Sequence, residues 1–204
     1  MIDALLFKKP YRTFKAKEII FFLPGVNLLV GDQGCGKSTI LQLIAAHGGS
    51  KAFWKKPLKT EVEEASQLIV SERQRVFCHD FENDSPRTSP SFDTMGTLPF
   101  EWAIGMMRQS HGEANRAINE QLAKMKNTYI ILDEPDSGLS CRSALNLAAA
   151  MRTAAENGCQ VIASVHHPWL IEQFNQVFDV STRKWTSSSN FLASMREPLS
   201  EETK

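Results

Sequence analysis

Gly31-Asp32-Gln33-Gly34-Cys35-Gly36-Lys37-Ser38 is the stretch that settles the fold. Its spacing is G-x-x-x-x-G-K-[ST], the pattern of a polyphosphate cradle. Glycines let successive backbone N–H groups face an anion, and the start of the following helix adds positive potential. Lys37 is expected to reach the β and γ phosphates of ATP, and the Ser38 hydroxyl to hold Mg2+. Thr39 joins the same nucleotide-binding set. The flanks agree with this reading. Val26-Asn27-Leu28-Leu29-Val30 is a strand-like apolar run that enters the loop directly. Ile40, Leu41, Leu43 and Ile44 then recur at helical spacing over 38–46, and His47-Gly48-Gly49 ends the helix.

Working outward, Ile19-Ile20-Phe21-Phe22-Leu23 and the Pro24-Gly25 turn make the region before the loop strand-rich. Residues 50–64 are charged and contain Pro57, which predicts a surface excursion. A strand is predicted over 74–78, a long loop over 83–99, and helices over 100–109 and 114–126. Buried strands follow at 129–132 and 160–165, with a helix over 142–156 between them that ends at Asn157-Gly158. A last short strand is expected at 178–180. Strand-helix alternation with continuous apolar strands gives an α/β fold with a mostly parallel, covered sheet. We expect one domain over 1–185 with a helical insert at about 83–126, and a polar tail over 186–204.

The second constellation is Tyr129-Ile130-Ile131-Leu132-Asp133-Glu134-Pro135. An apolar strand ending in Asp-Glu places Asp133 at the carboxyl edge of the sheet, where it can hold the magnesium shell. Glu134 is then one residue further on, in reach of an attacking water, and this second acid points to hydrolysis rather than binding alone.

The run Leu132-Asp133-Glu134-Pro135-Asp136-Ser137-Gly138-Leu139-Ser140 resembles the Walker B and D-loop of ABC-type ATPases, and in particular the SMC-like and "AAA family" stand-alone members of bacteria and phages. Val161-Ile162-Ala163-Ser164-Val165-His166-His167-Pro168 is similar to the strand that ends in Thr-His-Ser-Pro in that family. The resemblance implies a P-loop NTPase with an antiparallel N-terminal strand region and a reduced helical subdomain. It makes His166 the switch histidine that contacts the γ phosphate, while His167 replaces a serine. Ser110-His111-Gly112-Glu113 resembles the family's signature motif. Ser110 and Gly112 would then contact the nucleotide of a second copy in a head-to-tail dimer. Ser110-x-x-Glu113 also reads as a capping box, and both roles are compatible.

Two parts of the pattern are open. The family's usual glutamine loop is replaced by His79-Asp80-Phe81-Glu82-Asn83-Asp84, where Asp80 or Glu82 is expected at the metal or its water unless the segment is a solvated acidic loop. Tyr11, Arg12 and Phe14 stand where the family approaches adenine, with Arg12 the nucleotide contact, although Tyr11 and Phe14 also suit a core. Lys51-Ala52-Phe53-Trp54-Lys55-Lys56-Pro57-Leu58-Lys59 interleaves lysines with aromatics, which fits a solvated loop or a nucleic-acid or protein contact.

Composition narrows the function classes. The 204 residues include 23 Lys and Arg against 23 Asp and Glu, for a net charge of zero, so the surface as a whole is no nucleic-acid magnet. No apolar run reaches the roughly 18 residues that span a bilayer, and the first residues carry no signal-peptide pattern. Cys35, Cys78, Cys141 and Cys159 form no CxxC pair, which fits a reducing cytosol. Three functions compete. The leading one is a stand-alone ATPase that dimerises on ATP and serves a partner in DNA repair, defence or phage processes. The others are the ATP-binding subunit of an ABC transporter and a nucleotide-dependent module that does not hydrolyse ATP.

Overall fold

The apolar runs at 26–30, 128–133 and 160–164 become neighbouring strands buried on both faces, because helices and a second sheet cover them. The computed structural model describes residues 1–48, 59–80 and 111–196. Its elements are β1 (Ile2–Phe7), β2 (Ile19–Phe21), β3 (Val26–Val30), α1 (Lys37–His47), α2 (Lys59–Ala65), β4 (Ser66–Val70), β5 (Arg75–Asp80), α3 (His111–Leu122), β6 (Thr128–Asp133), α4 (Cys141–Glu156), β7 (Gln160–Ser164), α5 (Pro168–Ile171), β8 (Gln176–Asp179), β9 (Lys184–Ser187) and α6 (Ser188–Ser194).

Six strands form the main sheet in the order β5-β6-β7-β3-β8-β9, all parallel except β9. A separate antiparallel sheet has the order β2-β1-β4. Strand alternation divides the core into two layers. Leu29, Cys78, Ile131 and Ile162 point toward α1 and the small sheet, where Ile40, Leu41, Ile44 and Leu5 meet them. Leu28, Val30, Ile130, Leu132 and Ala163 point the other way, onto Ala144, Leu147 and Met151 of α4, Ile118 and Leu122 of α3, and Leu170 of α5.

Gln160 ties the two sheets together. Its amide nitrogen donates to the carbonyls of Ile2 (2.9 Å) and Leu23 (3.0 Å), and its oxygen accepts from the Ile2 N–H at 2.8 Å. This side chain at the start of β7 therefore satisfies three backbone groups of the N-terminal region in the interior.

Two expectations are corrected. Within the predicted surface excursion, 59–65 is the helix α2, because Val62 and Ala65 lie one turn apart and bury against the core while the charged residues face out. Residues 186–194, predicted as tail, hold the end of β9 and all of α6. The serines there act structurally: Ser187 caps α6 by accepting from the Asn190 N–H at 3.2 Å, and Trp185 packs on Phe178. The strand β4 was not anticipated either. The helices expected at 100–109 and the loop at 83–99 lie outside the described residues, as does most of the lysine-rich stretch.

Replacing Gln160 with Met removes the partner of the buried Ile2 N–H and carbonyl, while the Leu23 carbonyl keeps the Asn27 amide at 2.8 Å. At about 1–3 kcal/mol for each of the Ile2 groups, and less where water enters, Gln160→Met is expected to lower unfolding free energy by about 3 kcal/mol in a urea titration. Gln67→Met, on the exposed side of β4, should stay within about 0.5 kcal/mol of the parent.

Candidate nucleotide site

The loop between β3 and α1 is fixed by residues far from it in sequence. Gly36 has φ 114°, and a Cβ there would sit 2.6 Å from Thr13 Oγ1 and 2.7 Å from the Phe14 ring. Gly31, at φ 123°, would place one 2.7 Å from Ser181 Oγ. Only glycine fits at either point. Thr13 Oγ1 donates to the Cys35 carbonyl at 2.9 Å, and the Asp32 N–H donates to Ser181 Oγ at 2.9 Å. Arg183 closes the bracket. Its guanidinium stacks 4.1 Å over Phe14, pairs with Glu18 at 2.7 Å, and donates to the carbonyls of Cys35 (3.1 Å) and Thr13 (3.0 Å). Asp32, Gln33 and Gly34 stay exposed on the rim, whereas Lys37 is buried, its ammonium donating to the carbonyls of Gly31 (2.8 Å) and Asp32 (2.9 Å).

Register brings the acidic groups to this loop. Asp80 pairs with Asp133 across β5 and β6, and Asp133 with Ser164 across β6 and β7, so all three share one row at the carboxyl edge. The Ser38 hydroxyl donates to Asp133 Oδ1 at 3.2 Å, and the Ser164 hydroxyl donates to the same oxygen at 2.5 Å. Ser164 Oγ also accepts from the Glu134 N–H at 2.9 Å. That bond helps hold Glu134 at φ 50°, a left-handed conformation rarely taken without glycine, which turns its side chain off the strand. Glu134 Oε1 lies 3.4 Å from His166 Nε2, and both line a cavity of about 250 Å3 with Asp136, Ser137, Gly138 and His167. A larger cavity of about 610 Å3 between α3 and α4 is lined by none of these residues, so the chemistry marks the site and size does not.

Burial raises the Asp133 carboxyl above its ordinary value, against the lowering effect of the Ser164 and Ser38 hydrogen bonds, and the nearby Asp80 and Glu134 carboxylates push the same way as burial. A cation beside the row would offset that cost. Hard oxygen donors from Ser38, Asp133 and Asp80 suit Mg2+, which binds through one or two carboxylates and the substrate phosphates. Among the described residues no three His, Cys, Asp or Glu side chains form a complete metal cage, and Mg2+ in this role needs none.

The remaining expectations divide. Phe14 is a core residue, stacked 4.2 Å from Phe7, so it offers no face to a base. Arg12 donates to Thr39 Oγ1 at 3.0 Å and Gln42 at 3.1 Å, which draws it against α1. Ser110 and Glu82 lie outside the described residues, and Gly112 falls in the first turn of α3. Sequence reasoning passed over Ser164, Asp136, Ser181 and Arg183. Of these, only Asp136 and Ser164 stood inside the quoted motifs, where a polar residue at a strand end was the available signal.

The structure can be set beside known proteins. The ADP conformation of MJ1267, an ATP-binding cassette of an ABC transporter, superposes with a TM-score of 0.58 at 12% identity, covering 95% of both chains. A nucleotide-free ATP-binding cassette from an ABC transporter superposes at 0.55 and 12%, covering 97% of this chain and 96% of that one. The chain has the fold of an ABC-type ATPase cassette. In sequence, the chain is 25% identical over 186 residues to the cobalt import ATP-binding protein CbiO of Salmonella typhi, covering 79% of the chain and 69% of that protein. It is also 25% identical over 186 residues to the ATP-dependent permease PDR12 of Saccharomyces cerevisiae, where it spans only 12% of the longer protein. No protein-family model matches the chain. Among the described residues, no helix is long and apolar enough to cross a membrane.

The site also carries a pH signature. Burial pushes the His79 imidazole down to about 4, while Asp80 pulls it upward. The folded state therefore takes up this proton later than the unfolded chain, and stability is lost as pH falls from about 6.5 toward 4. The stability advantage of the parent over His79→Gln should shrink by up to about 3 kcal/mol across that window, followed by urea unfolding at a series of pH values. A gap that stays constant would show that His79 does not titrate this way.

Proposed function

We propose that the cassette binds ATP with Mg2+ and hydrolyses it to ADP and phosphate. The observation that carries this reading is the convergence of Ser38 and Asp133 at 3.2 Å and of Glu134 and His166 at 3.4 Å on the edge where the phosphate loop ends. Backbone amides of the loop 31–36 and the Lys37 ammonium would hold the triphosphate, and Ser38 with Asp133 and Asp80 would hold Mg2+. The metal supplies charge neutralisation to the phosphates when bound. Glu134 orients water toward the γ phosphorus, and His166 stands beside it to contact the γ phosphate.

The matched relatives named above are transport proteins, and their similarity supports the reading as the ATP-binding subunit of an ABC transporter over service in DNA repair, defence or phage processes. In that role the chain would work as a pair of cassettes beside separate membrane-spanning partners. Ser110 and Gly112 of one copy would complete the site of the other, with ATP between them.

Glu134→Gln should lower steady-state phosphate release at least about 100-fold while ATP binding survives, measured with Mg-ATP and a fluorescent nucleotide analogue. Trapped with ATP, this variant should elute as a dimer. Lys37→Ala should lose nucleotide binding itself. Hydrolysis that persists in Glu134→Gln would remove the glutamate from the reaction. Stimulation of the parent's rate by added DNA would return support to the repair reading.

A further inference from the structure

Asp136 is buried at 4% exposure on the loop that follows β6, two residues beyond Glu134. One carboxylate oxygen, Oδ2, accepts from two successive backbone N–H groups across the site, that of His166 at 2.6 Å and that of His167 at 2.5 Å. Its other oxygen, Oδ1, has no hydrogen-bond partner among the described residues. Charge-assisted bonds to main-chain donors are short and strong, and two on one atom fix the position of a loop closely.

The location matters more than the strength. Ser164 Oγ already ties Asp133 and the Glu134 N–H to the end of β7. Asp136 makes the second tie, from the loop after β6 to the loop after β7. Between the two ties lie the Glu134 carboxylate and the His166 imidazole. The bonded N–H groups are not those of the first turn of α5, whose Leu170 N–H donates to the His167 carbonyl at 3.0 Å, so helix capping does not account for Asp136. Nor does a turn: the loop closes on itself through Ser137 N–H to Glu134 O at 3.1 Å and Leu139 N–H to Asp136 O at 3.2 Å, using main chain alone.

We propose that Asp136 is a positioning residue for the hydrolysis proposed above: by holding the backbone of His166 and His167, it sets the imidazole of His166 against Glu134. The inference rests on that reading of the site. Displacing a reacting group by about 1 Å can cost about 100-fold in rate, so loss of this tie falls on turnover, while nucleotide affinity, supplied by the phosphate loop, is spared.

The test uses the full chain and two independent readouts. In amide hydrogen exchange of the nucleotide-free protein, the His166 and His167 N–H groups should be protected in the parent and lose that protection in Asp136→Ala, while Leu170 and Ile171 in α5 keep theirs. In single-turnover hydrolysis of Mg-ATP, Asp136→Ala should lower the rate about 10- to 100-fold with ATP affinity within about twofold, and Asp136→Asn, which keeps an acceptor oxygen, should recover most of the rate. In a His166→Ala background, Asp136→Ala should add less than about twofold, because both changes act through one group. Multiplicative effects in that cycle, an Asp136→Asn rate as low as that of Asp136→Ala, or unprotected amides in the parent would overturn the proposal while leaving hydrolysis intact. A parent that binds ATP and never cleaves it would overturn the functional reading, and the proposal with it.

Discussion

Parallel strand register is the constraint on which this site depends. Because β5, β6 and β7 run side by side in step, Asp80, Asp133 and Ser164 end in a single row, and the phosphate loop leaves β3 beside that row. In a parallel sheet all carboxyl ends open on one edge, so a triphosphate lying along it can meet several strands at once. A slip of one residue in β6 would turn Asp133 toward the opposite face of the sheet and separate it from Ser38. The two-sided burial of this strand makes such a slip costly, since Ile131 and Ile130 would trade places between two differently shaped cores.

Around that row the molecule spends its polar side chains on holding loops. Gln160 secures the N-terminal sheet, Thr13, Ser181 and Arg183 secure the phosphate loop, and Ser164 and Asp136 secure the turn that carries Glu134. Each bonds mainly to backbone, which is how a short loop with few apolar contacts is given one conformation. Phe14 belongs with this group. It carries the Arg183 guanidinium on one ring face and abuts Phe7, so the interior reaches the underside of the phosphate loop. The aromatic that suggested an adenine platform is a foundation for the loop.

What was legible in the sequence follows from how local each feature is. The glycine loop with its lysine, the Asp133-Glu134 pair and His166 each sit in a short run whose spacing carries its own chemistry, and the apolar strands beside them show both their type and their burial. The helix α2 and the C-terminal β9 and α6 were less visible. Val62 and Ala65 are too few to stand out in a charged run, and a serine-rich stretch looks the same in a tail as in a helix cap until Trp185 is seen against Phe178.

The amino-acid sequence by itself determined the α/β class and the order of the motifs, because periodicity and motif spacing are local properties of the chain. Only the tertiary structure decided that Arg183, about 150 positions from Cys35, props the phosphate loop, that Phe14 is core, and that Ser164 and Asp136 bond to the backbone of Glu134, His166 and His167. Those roles depend on contacts between segments distant in sequence, and such contacts exist only once the strands have taken their places in the sheet.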